Sequence, residues 1–143
     1  MVLQAAMAAP SAGNKQPWQF IVVTERLTLN TLADKLQYAK MLKDAPAAII
    51  VCGDTTRAFD GIEAEFWIQD CSATSQNILL AVEALGLGAV WTGIYPMPDR
   101  VTAVQEILNL PNTVIPLSVI PIGHPDGPQN PKHNWNPGLI RWD

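Results

Sequence analysis

The segment from Ile62 to Leu85 constrains the fold more than any other part of this sequence. It contains neither proline nor glycine, so it predicts one helix of about 24 residues and about 36 Å. Its second half, from Ile78 onward, is apolar on most faces, and a helix of that kind is buried. Because the chain has only 143 residues, we expect the helix to pack on a sheet with one side and on another subunit with the other.

Four apolar segments predict the strands of that sheet. Aromatic and β-branched residues favour a strand at Trp18–Thr24, and the continuous apolar run Ala47–Cys52 is typical of a strand buried on both faces. Another strand is expected at Ala89–Thr92, after Gly86 has stopped the long helix. The last, Thr113–Ile122, contains two prolines, which predict a position at a sheet edge or at bends.

Three shorter helices are predicted beside these strands. They are an alanine-rich run at Val2–Ala9, a segment of nearly helical apolar spacing at Leu27–Leu36, and a segment that opens at Pro98 and keeps its apolar residues on one face as far as Leu108. No capping residue precedes the first run, so we expect that helix to begin upstream of the sequence given.

Composition excludes several classes of partner. The net charge of −4 and the pI of about 5.0 argue against a nucleic acid or an anionic membrane surface. No apolar run reaches the roughly 20 residues that span a bilayer, and no signal peptide is recognisable. Cys52 and Cys71 lie in apolar runs, which indicates buried thiols in a reducing cytosol rather than a disulfide. His124 and His133 lack ligand-spaced neighbours, so we expect no metal site.

The loop between the first helix and the first strand is the leading candidate for a binding site. Pro10 and Pro17 enclose Ser11, Asn14 and Gln16, and two prolines hold a loop in few conformations. Small hydroxyl and amide side chains on a stiff loop suit hydrogen bonds to a flat polar ligand. The alternative is an ordinary helix-to-strand turn without a ligand.

Two more places could hold a ligand. Gly93 lies at the end of a predicted strand, where a glycine lets backbone approach a flat ring closely; the alternative is an ordinary turn. Lys132 is a cation in a proline-rich tail and could bind a phosphate; the alternative is a solvated lysine. We interpret Asp54 as a loop aspartate rather than a ribose ligand. We expect Asp70 to form a structural hydrogen bond at a helix interface rather than to act in catalysis.

No arrangement of side chains in the sequence suggests a catalytic triad or a carboxylate pair. Gly86 and Gly88 follow a helix and precede a strand, which is the reverse of the order in a dinucleotide-binding fingerprint. If the protein is an enzyme, the difficult chemistry therefore belongs to a cofactor.

Several of these segments together resemble the FMN-dependent nitroreductase family over essentially the whole chain. The similarity is carried, in the family's order, by Ala9-Pro10-Ser11-Ala12-Gly13-Asn14-Lys15-Gln16-Pro17-Trp18, by Asp70-Cys71-Ser72-Ala73 with Asn77-Ile78-Leu79-Leu80-Ala81, by Leu85-Gly86-Leu87-Gly88-Ala89-Val90-Trp91, and by Ile122-Gly123-His124-Pro125 with Pro131-Lys132.

The resemblance implies an α+β fold, an α-β-α sandwich around a central mixed, mainly antiparallel sheet, in an intertwined homodimer. Residues 1–143 would form a single domain in which 123–143 are a C-terminal tail that wraps the partner subunit. FMN would lie at the subunit interface, so each site would use both chains, and the protein would be cytoplasmic.

The resemblance also implies residues that bind the cofactor. Pro10, Ser11 and Asn14 would contact FMN from the partner chain. Thr92, Gly93 and Ile94 would lie at the flavin ring, with backbone N–H groups from this stretch facing N5 and O4. Lys132 would meet the phosphate.

The implied activity is electron transfer from NADH or NADPH, through FMN, to a nitroaromatic, quinone or similar flat acceptor by a ping-pong cycle, with no side chain acting as an acid or base. The family's Arg-Arg-Ser-x-Arg-type motif is absent from the sequence, and Asn134 stands where a tail arginine is common. Each lost charged hydrogen bond costs about 1.5–3 kcal/mol, so we expect weakened FMN binding. The alternative is a dimeric scaffold, or a truncated family member, whose flavin site is weak or absent.

Overall fold

A five-stranded sheet forms the middle of the molecule in a computed structural model that describes all 143 residues. The strands are β1 (Trp18–Val23), β2 (Ala47–Asp54), β3 (Gly88–Ala89), β4 (Thr92–Gly93) and β5 (Val114–Gly123). β1 pairs with β2, β2 pairs with β5, and both β3 and β4 pair with the other side of β5. Every one of these pairings is antiparallel, which confirms the predicted, mainly antiparallel sheet.

Helices cover both faces of the sheet, as the predicted α-β-α sandwich requires. They are α1 (Val2–Met7), α2 (Arg26–Lys35), α3 (Phe66–Ala84) and α4 (Pro98–Leu108). Alternate residues of β2 point to opposite faces: Ile50 joins the apolar core under α2 and α4, whereas Val51 joins the core under α1 and α3. Both faces of β2 are therefore buried, as its unbroken apolar sequence predicts.

The long helix is shorter than predicted, because its first turns are wound more tightly. A 3₁₀ helix covers Gly61–Glu65 and leads directly into α3. Ile78 and Val82 are fully buried against the sheet. Leu80 is 60% exposed on the opposite side, so the outer face of α3 has no cover within this chain.

The prediction that β5 lies at a sheet edge is wrong, because β5 is paired on both sides. The alternative prediction of bends is confirmed at Pro116, where the register between β2 and β5 shifts and Leu117 becomes the extra residue. Opposite Pro121, the pairing on the far side of β5 is interrupted between β3 and β4. Proline has no N–H to donate there, which divides the strand expected at Ala89–Thr92 into two short pieces.

Residues 124–143 lie outside the sandwich and are exposed along their whole length. They contain one short 3₁₀ helix, Pro137–Leu139. The side chains of Trp135 and Trp142 are 79% and 86% exposed. None of the protein's helices has both the length and the apolar character needed to cross a bilayer.

Gly53 of β2 tests the packing of α3 on the sheet. A Cβ at Gly53 would lie 2.2 Å from Cε3 of Trp67, whereas a Cβ at Gly93 would meet nothing within 4 Å. We expect Gly53→Ala to lower the free energy of unfolding by about 1–3 kcal/mol, because the indole must move. Urea denaturation should show a smaller loss in the matched control Gly93→Ala, and equal losses in the two variants would contradict this packing.

Candidate functional site

The loop from Pro10 to Pro17 is folded tightly by its own hydrogen bonds. Gly13, Asn14 and Gln16 have positive φ angles, which turn the chain sharply before it enters β1. The backbone N–H of Gln16 donates to Oγ of Ser11 at 3.0 Å. That oxygen acts as an acceptor in this bond, so the Ser11 hydroxyl keeps its own proton for an outside partner.

Asp70 of α3 fixes the loop to the body of the protein. Its Oδ1 accepts a hydrogen bond from the backbone N–H of Ala12 at 2.8 Å, and its side chain is buried. The predicted structural hydrogen bond of Asp70 is therefore confirmed, although its partner is a loop N–H rather than a second helix. The buried side chain of Asp70 thus supports the loop through this hydrogen bond.

One side chain missed in the sequence, Phe59, lies beside the loop. The ring of Phe59 packs against Gly13, where a Cβ would come within 2.6 Å of it. Nζ of Lys15 lies 4.9 Å from the centre of the same ring, as in a cation–π contact. The only signal in the sequence is an aromatic residue in a polar segment, which does not identify its partner.

Asp54, at the end of β2, is a turn aspartate, as expected. Its carboxylate accepts hydrogen bonds from the N–H and hydroxyl of Thr56 and from Nε2 of Gln19. Burial raises the pKa of Asp54, but these hydrogen bonds outweigh burial and hold its pKa below the usual value. Its oxygens are thus committed to the fold.

The two cysteines face the interior. Neither forms a disulfide, and both are buried. Burial raises the pKa of the Cys52 thiol to about 12 and raises that of Cys71 as well. Both groups stay protonated thiols at neutral pH, so neither is an activated nucleophile.

β4 presents an open strand edge at Gly93. The N–H of Ile94 donates to the carbonyl of Leu117 at 2.9 Å, and Thr92 pairs with Val119. Hydrogen-bonded and non-hydrogen-bonded pairs alternate along an antiparallel ladder, so Gly93, opposite Ser118, is a non-hydrogen-bonded position. Its N–H and C=O therefore point away from β5, toward the open side of the strand.

The three residues predicted at this edge differ in what they can offer. Gly93 is exposed, whereas Thr92 and Ile94 are buried. The hydroxyl of Thr92 donates to the carbonyl of Val119, and the side chain of Ile94 belongs to the core under α2 and α4. Because the Ile94 N–H is used within the sheet, a ligand here would meet the backbone of Gly93.

Arg100 of α4 is a site residue that sequence reasoning missed. Its Nη1 donates to the Gly93 carbonyl at 2.9 Å, and its guanidinium carbon lies 5.2 Å from the centre of the Tyr38 ring. A cation in the first turn of a helix opposes the helix dipole. That unfavourable placement is the signal in the sequence that could have suggested a role for Arg100 elsewhere.

The two candidate regions lie at opposite edges of the sheet. Gly93 pairs with Ser118, Ser118 with Val51, and Val51 with Phe20 of β1. This line crosses three strand spacings, or about 14 Å, before it reaches the strand that follows the Pro10–Pro17 loop. One chain therefore does not bring the loop and Gly93 together around a single flat ligand.

Lys132 lies apart from both regions. It is exposed within the tail, and it forms neither a salt bridge nor a side-chain hydrogen bond in the structure. No group of three or more His, Cys, Asp or Glu side chains could hold a metal ion. What the chain offers is thus a stiff polar loop, an open backbone edge and a separate cation.

Comparison with known proteins gives one consistent result. The family model described as "Nitroreductase family" matches residues 1–37 and 25–124. A protein of Methanothermobacter thermautotrophicus, named "putative NADH dehydrogenase/NAD(P)H nitroreductase", is 52% identical over 124 residues, which are 87% of this chain and 63% of that protein. The chain therefore spans less than two thirds of that relative's length.

Solved structures extend the similarity to nearly the whole chain. A protein of the same name from Parabacteroides distasonis is 47% identical with a TM-score of 0.93, covering 99% of this chain and 82% of that one. An FMN-dependent nitroreductase from Clostridium difficile is 25% identical with a TM-score of 0.89, covering 99% and 84%. The predicted fold class is confirmed by these structures.

The role of Asp70 can be tested by comparing the substitutions Asp70→Ala and Asp70→Asn. We expect Asp70→Ala to lower the free energy of unfolding by about 1–3 kcal/mol, because the Ala12 N–H loses its acceptor. Asp70→Asn keeps an oxygen that can accept this bond and should lose less. The losses can be compared by urea denaturation, with amide exchange at Ala12 as the local reading. Identical behaviour of the two variants would show that the hydrogen bond is unimportant.

Proposed function

The chain belongs to the nitroreductase family, and we propose that it is an FMN-dependent oxidoreductase acting in the cytoplasm. Electrons would come from NADH or NADPH and pass to a nitroaromatic, a quinone or a similar flat acceptor in a ping-pong cycle. The observation that carries this proposal is the open, outward-facing backbone of Gly93 at the edge of the sheet.

The edge at Gly93 fits a flat polar ring. The missing side chain leaves free space within 4 Å, so a ring can approach the backbone closely. The outward N–H of Gly93 can donate to a ring nitrogen or oxygen. Thr92 and Ile94 support this edge from behind, because both are buried and hydrogen-bonded to β5.

The other side of the ring would be supplied by a second copy of the chain. Pro10, Ser11 and Asn14 lie at the opposite sheet edge from Gly93, so an arrangement of two copies can place the loop of one against the edge of the other. The Ser11 hydroxyl retains its proton, and the Asn14 side chain has no partner within the chain. Both groups are thus available to the ligand.

The tail is proposed to hold the two copies together. Two tryptophans that are mostly exposed in one chain favour burial against a partner surface. Leu80, which is 60% exposed on the outer side of α3, would be part of such a surface. Within the tail, Lys132 would pair with the FMN phosphate, an interaction that is strong when both groups are charged.

FMN, when bound, supplies the chemistry of hydride and electron transfer. The residues of this chain bind and orient the ring, and the loop and Gly93 exclude water from its two sides. Arg100, the charged side chain that contacts Gly93, donates its hydrogen bond to the Gly93 carbonyl and is assigned no proton transfer. The protein's contribution is thus position, a backbone hydrogen bond and exclusion of water.

A second candidate function is a dimeric scaffold without a working flavin site. It is favoured by the small number of free cations. Three of the arginines and lysines stabilise backbone carbonyls, namely Arg26, Lys40 and Arg100, and two form ion pairs, Lys43 and Arg141. Only four of the nine arginines and lysines remain to bind a phosphate.

Flavin binding and reduction separate these two functions. We expect FMN added to the purified protein to raise its melting temperature and to give a visible flavin spectrum that bleaches with NADH or NADPH in the absence of oxygen. A colourless protein whose melting temperature is unchanged at high micromolar FMN would leave the scaffold as the function. A bound flavin that neither nucleotide reduces would also contradict the proposed activity.

Gly93→Val tests whether the ring lies at this edge. Its side chain would enter the proposed ring space, so flavin occupancy should fall far more than the melting temperature of the flavin-free protein. Gly93→Ala, with a single carbon in open space, should give an intermediate occupancy. Parallel losses of occupancy and stability would remove Gly93 from the site.

A further inference from the structure

We propose that Arg100 is a positioning residue that strengthens flavin binding at Gly93 and raises the reduction potential of the bound flavin. This inference rests on the proposed function and adds a residue from outside the motifs that suggested it. Arg100 does not itself need to touch the ring, because it acts through the Gly93 carbonyl and through its charge.

The peptide between Gly93 and Ile94 is held at both ends. Its carbonyl accepts a hydrogen bond from Nη1 of Arg100 at 2.9 Å. Its N–H donates to the carbonyl of Leu117 at 2.9 Å. A glycine in a strand is conformationally free, and these two bonds remove that freedom, so the edge at Gly93 is fixed before any ring arrives.

Tyr38 keeps Arg100 in this position. The guanidinium lies over its ring at 5.2 Å, in the geometry of a cation–π contact. The gap beside Tyr38, Gly93 and Arg100 has a volume of only about 10 Å³, which is at the lower limit for a single water molecule. The gap is thus too small for a ligand, and the contacts of Arg100 with Tyr38 and Gly93 serve to support the edge.

The charge of Arg100 is not neutralised within the chain. The ion pairs of the structure are Lys43 with Asp34 and Arg141 with Asp143, so no carboxylate lies within 4.0 Å of Arg100. Reduction adds negative charge to a flavin ring. A nearby positive charge in partly buried surroundings favours the more negative form, so Arg100 should bind reduced FMN more strongly than oxidised FMN.

Four variants separate the effect of the Arg100 hydrogen bond from the effect of the Arg100 charge. Arg100→Met removes the hydrogen bond and the charge, Arg100→Lys keeps the charge, and Tyr38→Leu removes the stacking partner. Lys35→Met is the matched control, because Lys35 is an exposed cation without a hydrogen bond or ion pair in the structure. The measurements are the FMN dissociation constant by fluorescence titration, the midpoint potential of the bound flavin, and the melting temperature of the flavin-free protein.

We expect Arg100→Met to weaken FMN binding about tenfold and to lower the midpoint potential, with little change in the melting temperature of the flavin-free protein. Arg100→Lys should lose affinity but keep most of the potential, Tyr38→Leu should weaken FMN binding, and Lys35→Met should resemble the wild type. If the wild type binds FMN and Arg100→Met changes neither affinity nor potential, Arg100 has no such role. A wild type that binds no FMN at all would instead overturn the proposed function on which the inference rests.

Discussion

The pairing of β5 on both sides is the constraint on which the rest of the structure depends. β2 occupies one side of β5 and the short strands β3 and β4 occupy the other, so β1 is one edge of the sheet and β3 and β4 together form the other. The Pro10–Pro17 loop is fixed at one edge and Gly93 at the other. A ligand that uses both would have to lie between two copies of the chain, which is why the proposed site needs a dimer.

Much of this fold could be predicted from the sequence, because each element has a local signal. The helix at Ile62–Leu85 lacks helix breakers, and Pro98 marks the start of α4 to the residue. The edge position expected for β5 was wrong, because the effect of Pro116 and Pro121 depends on which neighbour each faces, and pairing is not local. The prolines did predict bends in this strand, and the shift in register between β2 and β5 at Pro116 is one of them.

The positions of the candidate site residues could be predicted from motifs, but their interactions could not. The motif that marks Gly93 can be read from neighbouring residues in the sequence. The direction of the Gly93 N–H, in contrast, follows from the alternation of hydrogen-bonded pairs between β4 and β5. The same alternation commits the Ile94 N–H to Leu117, which no motif reveals. Asp70 was expected to have a partner, yet Ala12 lies 58 residues away in the sequence. Contacts between distant segments are what sequence patterns leave open.

Mixed dimers test the two-chain site most directly. Pro10→Trp blocks the loop with an exposed residue, and Gly93→Val blocks the opposite edge. Each variant alone should bind no FMN. When the two are refolded together, each mixed dimer should contain one intact site, in which the Gly93→Val chain supplies the unchanged loop and the Pro10→Trp chain supplies the unchanged edge. If each site is built from two chains, flavin absorbance should return on mixing, up to one FMN per mixed dimer. Flavin bound by neither variant nor by the mixture, while the wild type binds it, would show that each site lies within a single chain.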